Sequence, residues 1–273
     1  MSLFEYDFFN NALLAAVLAS ISCGYIGTYI VTRRIVFISG GISHASFGGI
    51  GLAYFLGINP LIGAGFFSLF AALGIEALSH RLDVRRDSLI GMMWSFGMAT
   101  GIIFVFITPG YAANLMTYLF GNILTVSMTD LYLMAILCIV IITVFILLFR
   151  AILYTSFDPE YARTLGIPTT LVNYILISLV ALTIVVSIRV VGIILVIALL
   201  TIPQATANLF SKKYKFIILL SVGFGLLSSI VGLFLSYLLN IPSGATIIFL
   251  SVIIFIFSKL ISYVFSKAKI KKR

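Results

Sequence analysis

The sequence predicts an all-α integral membrane protein, a polytopic bundle of eight to nine transmembrane helices. Two observations predict it. Of the 273 residues, 62% are hydrophobic and only 9% are charged, against roughly 25% charged in a soluble domain. So little polar surface cannot cover a water-soluble globule, and the bilayer must be part of the solvent. The second observation is that Lys and Arg gather on every second connection between the apolar runs, the pattern that membrane orientation imposes on sequence.

A helix needs about 20 apolar residues to cross the hydrocarbon core. Nine runs are candidates: 9–31, 36–56, 61–79, 89–108, 131–149, 171–188, 190–209, 216–239 and 244–265. The shorter stretch 115–126, interrupted by Gly121 and Asn122, reads as a re-entrant or surface helix. The count falls to eight if the first run or the junction at Arg189 is not a separate crossing. The N-terminus lacks the basic region and cleavage site of a removable leader, so the first run is expected to stay as a span. Cys23 and Cys138 lie inside apolar runs with no metal-finger or disulfide spacing and read as packing residues.

The charges set orientation. Arg33 and Arg34 follow the first run, Arg81, Arg85 and Arg86 the third, Arg150 and Arg163 flank the loop after the fifth, and Lys212, Lys213 and Lys215 follow the seventh. The tail carries Lys267, Lys269, Lys271, Lys272 and Arg273, whereas the alternate connections 57–60, 109–130 and 240–243 hold no Lys or Arg. The positive-inside rule then puts the N-terminus outside and the C-terminus in the cytoplasm. Arg189 does not sort; it either snorkels to the interface or marks a broken helix. The basic residues form no stripe with aromatic neighbours, which argues against nucleic-acid binding. No phosphate-binding G-x-x-x-x-G-K-[ST] loop occurs, so the chain hydrolyses no nucleotide by a P-loop mechanism and its energy source is a partner or an ion gradient.

The chain reads as one membrane domain over residues 1–273, and its longest polar connection is 154–170. There Asp158 suits a helix N-cap, Pro159 the first helical position and Glu160 the positive helix end. Gly166 suits a left-handed stop, and Pro168 prevents continuation. A capped helix of about two turns on the cytoplasmic face is expected, either as a plain connector or as a docking lever.

Four ordered stretches carry a family resemblance. Arg33-Arg34-Ile35-Val36-Phe37-Ile38 leads into Ile42-Ser43-His44-Ala45. Asp158 to Gly166 forms the capped loop. Val191-Gly192-Ile193-Ile194-Leu195-Val196 precedes Ala198-Leu199-Leu200-Thr201-Ile202-Pro203-Gln204-Ala205-Thr206-Ala207. Ile241-Pro242-Ser243-Gly244-Ala245-Thr246 opens the last run. Over nearly the whole chain this resembles the ABC-3 family of metal-type (zinc, manganese, iron) ABC importer permeases, with a type II ABC importer-like fold. The resemblance implies alternating access by a homodimer of permeases in the cytoplasmic membrane. Each copy would dock a cytoplasmic ABC ATPase subunit through Asp158, Pro159, Glu160, Tyr161, Ala162 and Gly166. It also implies an extracytoplasmic metal-binding protein, a divalent metal ion as transported substrate rather than as resident cofactor, and no catalysis by the chain itself.

His44 is the histidine that lies deep in an apolar run, ten residues past Arg34, or about 15 Å along a helix and so near mid-membrane. An imidazole there is costly and is a common transition-metal ligand. It reads as a pathway metal ligand, with a neutral histidine hydrogen-bonded to a neighbouring helix, aided by Ser43 or Ser46, as the alternative. Many manganese- and zinc-type members of the family place an Asp four residues earlier; here that position is Gly40, beside Gly41, which leaves the metal open. Gly40, Gly41, Ala45, Gly48, Gly49 and Gly51 form a small-residue run that suits close helix approach better than a backbone-lined pore. Glu76 and His80, one turn apart, read as an interfacial hydrogen-bonded pair in preference to a metal exit site, and Met92, Met93 and Met98 as core packing. Pro203 is expected to kink the seventh run, its freed carbonyl satisfied by Thr206 or lining a cavity. The rival functions are an ion-gradient-driven transporter, which usually needs buried carboxylates, a membrane-embedded enzyme, which needs clustered catalytic groups, and a non-transport membrane protein.

Overall fold

The computed structural model describes residues 7–81, 84–109, 121 and 123–270, and every regular element among them is helical. In chain order these are α1 (Asp7–Thr32), α2 (Phe37–Leu56), α3 (Pro60–Arg81) and α4 (Arg86–Ile107). A 3₁₀ turn (Ile123–Thr125) precedes α5 (Met128–Leu147), α6 (Phe149–Phe157) and α7 (Pro159–Thr164). Then come α8 (Thr169–Leu199), α9 (Ile202–Phe210), α10 (Tyr214–Leu239) and α11 (Ser243–Ile270). Helices alone satisfy their backbone polar groups within one segment, as a hydrocarbon solvent requires.

Seven described stretches are long and apolar enough to cross a membrane, fewer than the eight to nine expected, and the polarity of one helix and a break inside another stretch explain the shortfall. The first missing one is α2. Its 20 residues include five glycines, three serines and His44, which lower its apolarity. That composition is used in packing. α2 lies between α3 and α4, and its glycines meet their backbones: Gly49 against Gly63, Gly51 against Gly101, and Gly48 against Phe67 and Gly97. The small-residue run is therefore a close-packing surface that seats α2 against α3 and α4.

The second is hidden in Thr169–Phe210, a continuous apolar stretch of 42 residues. It would be about 63 Å long as one straight helix, at 1.5 Å per residue, twice the hydrocarbon thickness. Within it Gly192 adopts φ 79°, ψ 161°, a backbone state closed to residues with a Cβ, so the helix breaks there. Thr169 is tied to Arg163 of α7 by a 3.1 Å hydrogen bond, beyond the C-terminal end of α5. Arg189 pairs with Asp130 at the N-terminal end of α5 (3.2 Å). Tyr214, after the stretch, packs edge-on against Phe149 and Phe157, again past the C-terminal end of α5. The chain thus runs the length of α5 and returns, which makes two passes of one apolar stretch. Of the two readings of Arg189, the broken helix is the one observed, three residues on.

Basic residues collect at one end of the bundle. The C-terminal end of α1 turns through Arg34 in the left-handed region (φ 58°), and the Arg33 guanidinium donates to the Thr155 carbonyl of α6 (2.8 Å). Lys215 sits 5.0 Å above the Phe149 ring. At the opposite end Ser127 and Asp130 form a reciprocal capping box that starts α5. Of the stretch 115–126, the part before 121 lies outside the described residues.

Candidate functional site

α2 brings Gly40 and His44, one turn apart, to the same face, and that face is covered by Trp94 of α4. The imidazole stacks on the indole at 4.2 Å between centroids and 5° between planes, with Phe47 stacked farther off at 6.2 Å. A Cβ at Gly40 would stand 3.5 Å from Trp94 Cζ3, and Ile197 of α8 lies close by. The indole thus faces position 40 at ordinary van der Waals distance. His44 Nδ1 and Ser43 Oγ are both buried with no hydrogen-bond partner. Each of these buried atoms still needs a polar partner. Ser46 does not supply it, since its hydroxyl donates to the Ser43 carbonyl (2.6 Å). No group of three or more His, Cys, Asp or Glu side chains converges among the described residues. Among the described residues no such cluster joins the imidazole, so a cation at this depth would draw its remaining ligands from hydroxyls, carbonyls, water or a second copy.

At the basic end the 154–170 connection folds as its punctuation dictates. Asp158 Oδ1 accepts from the backbone N–H of Glu160 (3.1 Å) and Tyr161 (3.0 Å), and Pro159 fills the first turn of α7. At the other end Ile167 N–H donates to Ala162 O and Gly166 N–H to Arg163 O. With Gly166 at φ 74°, this is the paired-bond stop of a Schellman motif. Among the residues of α7 only Ala162 is buried, while Glu160 and Tyr161 are exposed. A rigid, doubly capped helix anchored by one alanine is offered to whatever lies beyond the basic end.

A family profile for the ABC 3 transport family matches residues 5–262. An uncharacterized membrane protein of Synechocystis sp. is 45% identical over 93% of this chain and 90% of its own length. The manganese transport system membrane protein MntC of Listeria monocytogenes is 36% identical over 93% and 90%. Among solved structures, PsaBC from Streptococcus pneumoniae in complex with Fab superposes with a TM-score of 0.83 at 34% identity, covering 94% of this chain and 92% of that one. The chain belongs to the ABC 3 transport family.

As a member of that family it is a multi-pass membrane transport protein, and its interior can be read for what moves. Pro203 does not kink a continuous helix; it opens the separate helix α9. Lacking an N–H, it frees the Leu199 carbonyl. Gln204, fully buried, supplies the missing donor through Nε2 (3.0 Å) and also donates to Cys23 O of α1 (2.8 Å). Thr206, the expected partner, donates instead to Ile202 O. Glu76 takes a partner from the next helix. Its buried carboxylate is held by Arg86 of α4 at 3.1 Å, and the side chain of His80 lies outside the described residues. Met93 and Met98 pack on the core, but Met92 is exposed. Three residues escaped sequence reasoning. Trp94 carried the signal of being the sole tryptophan. Asp130 was the acid on the same side as the unsorted Arg189. Gln204 was the amide next to a mid-span proline.

Proposed function

We propose that this chain is the permease subunit of an ATP-binding cassette importer that carries a divalent first-row metal ion, manganese foremost, across the cell membrane by alternating access. The family match over residues 5–262 carries the reading, and relatives named as manganese transport proteins at 36% identity support the metal. Sorting of the basic residues supports an outside N-terminus and a cytoplasmic C-terminus. In that orientation α7 projects into the cytoplasm. Asp158, Pro159, Glu160, Tyr161, Ala162 and Gly166 would seat in a groove of the ATPase, which supplies the hydrolysis. A second copy of the permease and an extracytoplasmic metal-binding protein complete the assembly. His44, flanked by Ser43, Gly40 and Gly41 and backed by Trp94, is the mid-membrane contact for the passing ion. With a single imidazole per chain it would bind weakly, as conduction requires.

The test is uptake of labelled manganese into proteoliposomes holding the permease and its co-expressed ATPase. Uptake that needs ATP and falls at least tenfold in His44→Ala, with complex yield unchanged, is expected. Glu160→Lys should release the ATPase while leaving the permease folded. Uptake that ignores ATP and collapses with the proton gradient would instead establish a secondary transporter.

A further inference from the structure

A large crevice lies remote from His44. About 980 Å³ in volume, it opens between α1, α5, α6 and α10 at the basic end. Its walls are aliphatic and aromatic, with Ile142, Phe145, Ile218 and Leu219 among them, and its rim carries two charges, Arg150 and Lys215, both positive. No acidic residue lines it, and neither cation has a carboxylate partner among the described residues. Both are exposed.

Dimensions and charge select one occupant. Along α5 and α6 the lining runs from Ile142 to Arg150, and along α10 from Val222 to Lys215, each about 10–12 Å of helix. The crevice therefore begins at a headgroup-level pair of cations and ends about two turns into the hydrocarbon, most of the depth of one ~15 Å leaflet. A soluble anion has no use for the apolar depth, and a neutral lipid has no use for two unpaired cations. We propose that this crevice is a binding site for one anionic phospholipid per chain, its phosphate between Arg150 and Lys215 and an acyl chain along Phe145 and Ile218. Leu165 and Ile167, which follow α7 and include its stop, also line the crevice. A lipid seated here touches the base of the docking helix, so occupancy stiffens that element. The site rests on membrane insertion alone and stands whatever ion the protein carries.

The experiment is native mass spectrometry of the detergent-purified permease titrated with phosphatidylglycerol or phosphatidylcholine of matched chains. One phosphatidylglycerol per chain, retained at least tenfold better than phosphatidylcholine, is expected. That preference should vanish in Arg150→Gln/Lys215→Gln and persist in Lys212→Gln/Lys213→Gln, which removes equal charge next to the crevice. Equal retention of the two lipids by the unmodified protein overturns the proposal without recourse to any variant. Equal loss in both double variants overturns it in favour of diffuse attraction. Displacement of phosphatidylglycerol by millimolar inorganic phosphate overturns it in favour of a soluble-anion site.

Discussion

Asp158→Ala isolates what the N-cap of α7 contributes. The carboxylate satisfies two orphan N–H groups, those of Glu160 and Tyr161, and replacing a helix cap of this type by alanine costs about 1 kcal/mol. In a long packed helix the loss would be absorbed by the core. Here α7 spans six residues with Ala162 as its only buried side chain, so the whole loss falls on local opening, by a factor of about 5. Hydrogen exchange of peptides covering 159–167 should therefore accelerate about fivefold. Peptides from α6 should not change, because its buried Ile152, Thr155 and Ser156 are untouched. Asp158→Asn keeps an acceptor oxygen and should accelerate exchange less than about twofold. ATPase affinity should move far less than exchange, since apparent affinity falls only with the fraction of α7 that remains ordered, and a well-formed helix loses little of that fraction. Gly166→Ala adds the penalty of a left-handed alanine, about 1–2 kcal/mol. Only when both changes are combined should affinity drop with exchange. If Asp158→Ala leaves exchange unchanged, or Asp158→Asn matches it, the capping account is wrong and charge alone is at work.

Two further outcomes follow from packing. Gly49→Val would drive a branched side chain into the Gly63 carbonyl of α3, which cannot rotate away. A loss of about 1–3 kcal/mol or more should show as a lowered melting temperature by size-exclusion fluorescence, whereas Gly223→Val, facing open space, should melt like the parent protein. Gln204→Leu leaves the Leu199 and Cys23 carbonyls buried without their side-chain donor, at about 1–3 kcal/mol for each group left unsatisfied. The same melts, and a rescue by Gln204→Asn no better than partial because the shorter side chain cannot span both acceptors, check that account.

Much of the fold was legible because hydrocarbon solvent makes few demands and makes them everywhere. Run length gave α1, α3, α4, α5, α10 and α11 nearly to their ends, and α7 was readable from Asp158, Pro159 and Gly166 because caps act locally. What sequence could not supply were contacts across the bundle. Nothing near Gly40 in the chain announces that Trp94, 54 positions later, lies over it, so the sequence showed only the missing carboxylate and not the indole that faces the position. Glu76 and His80 suggested a pair because they are one turn apart, but nothing in that spacing announces that Arg86 reaches the Glu76 carboxylate from the next helix with a charge-assisted bond.

The same distinction resolves the residue that did not sort. Arg189 stood against the orientation rule because that rule weighs cations near the ends of spans and ignores what they face. Its guanidinium is half exposed, and Asp130, nearly buried, meets it at 3.2 Å. The pair holds the start of α5 to the end of the first pass of α8, next to the point where Gly192 breaks the helix beneath Gly121. An arginine there is not a misplaced topology signal. It fastens the turn that lets one apolar stretch cross twice, and the second crossing is what returns Lys212, Lys213 and Lys215 to the end of the bundle where α7 waits for its partner. Were Arg189 absent, the charge pattern would look cleaner and the fold would have lost the ion pair beside its sharpest turn.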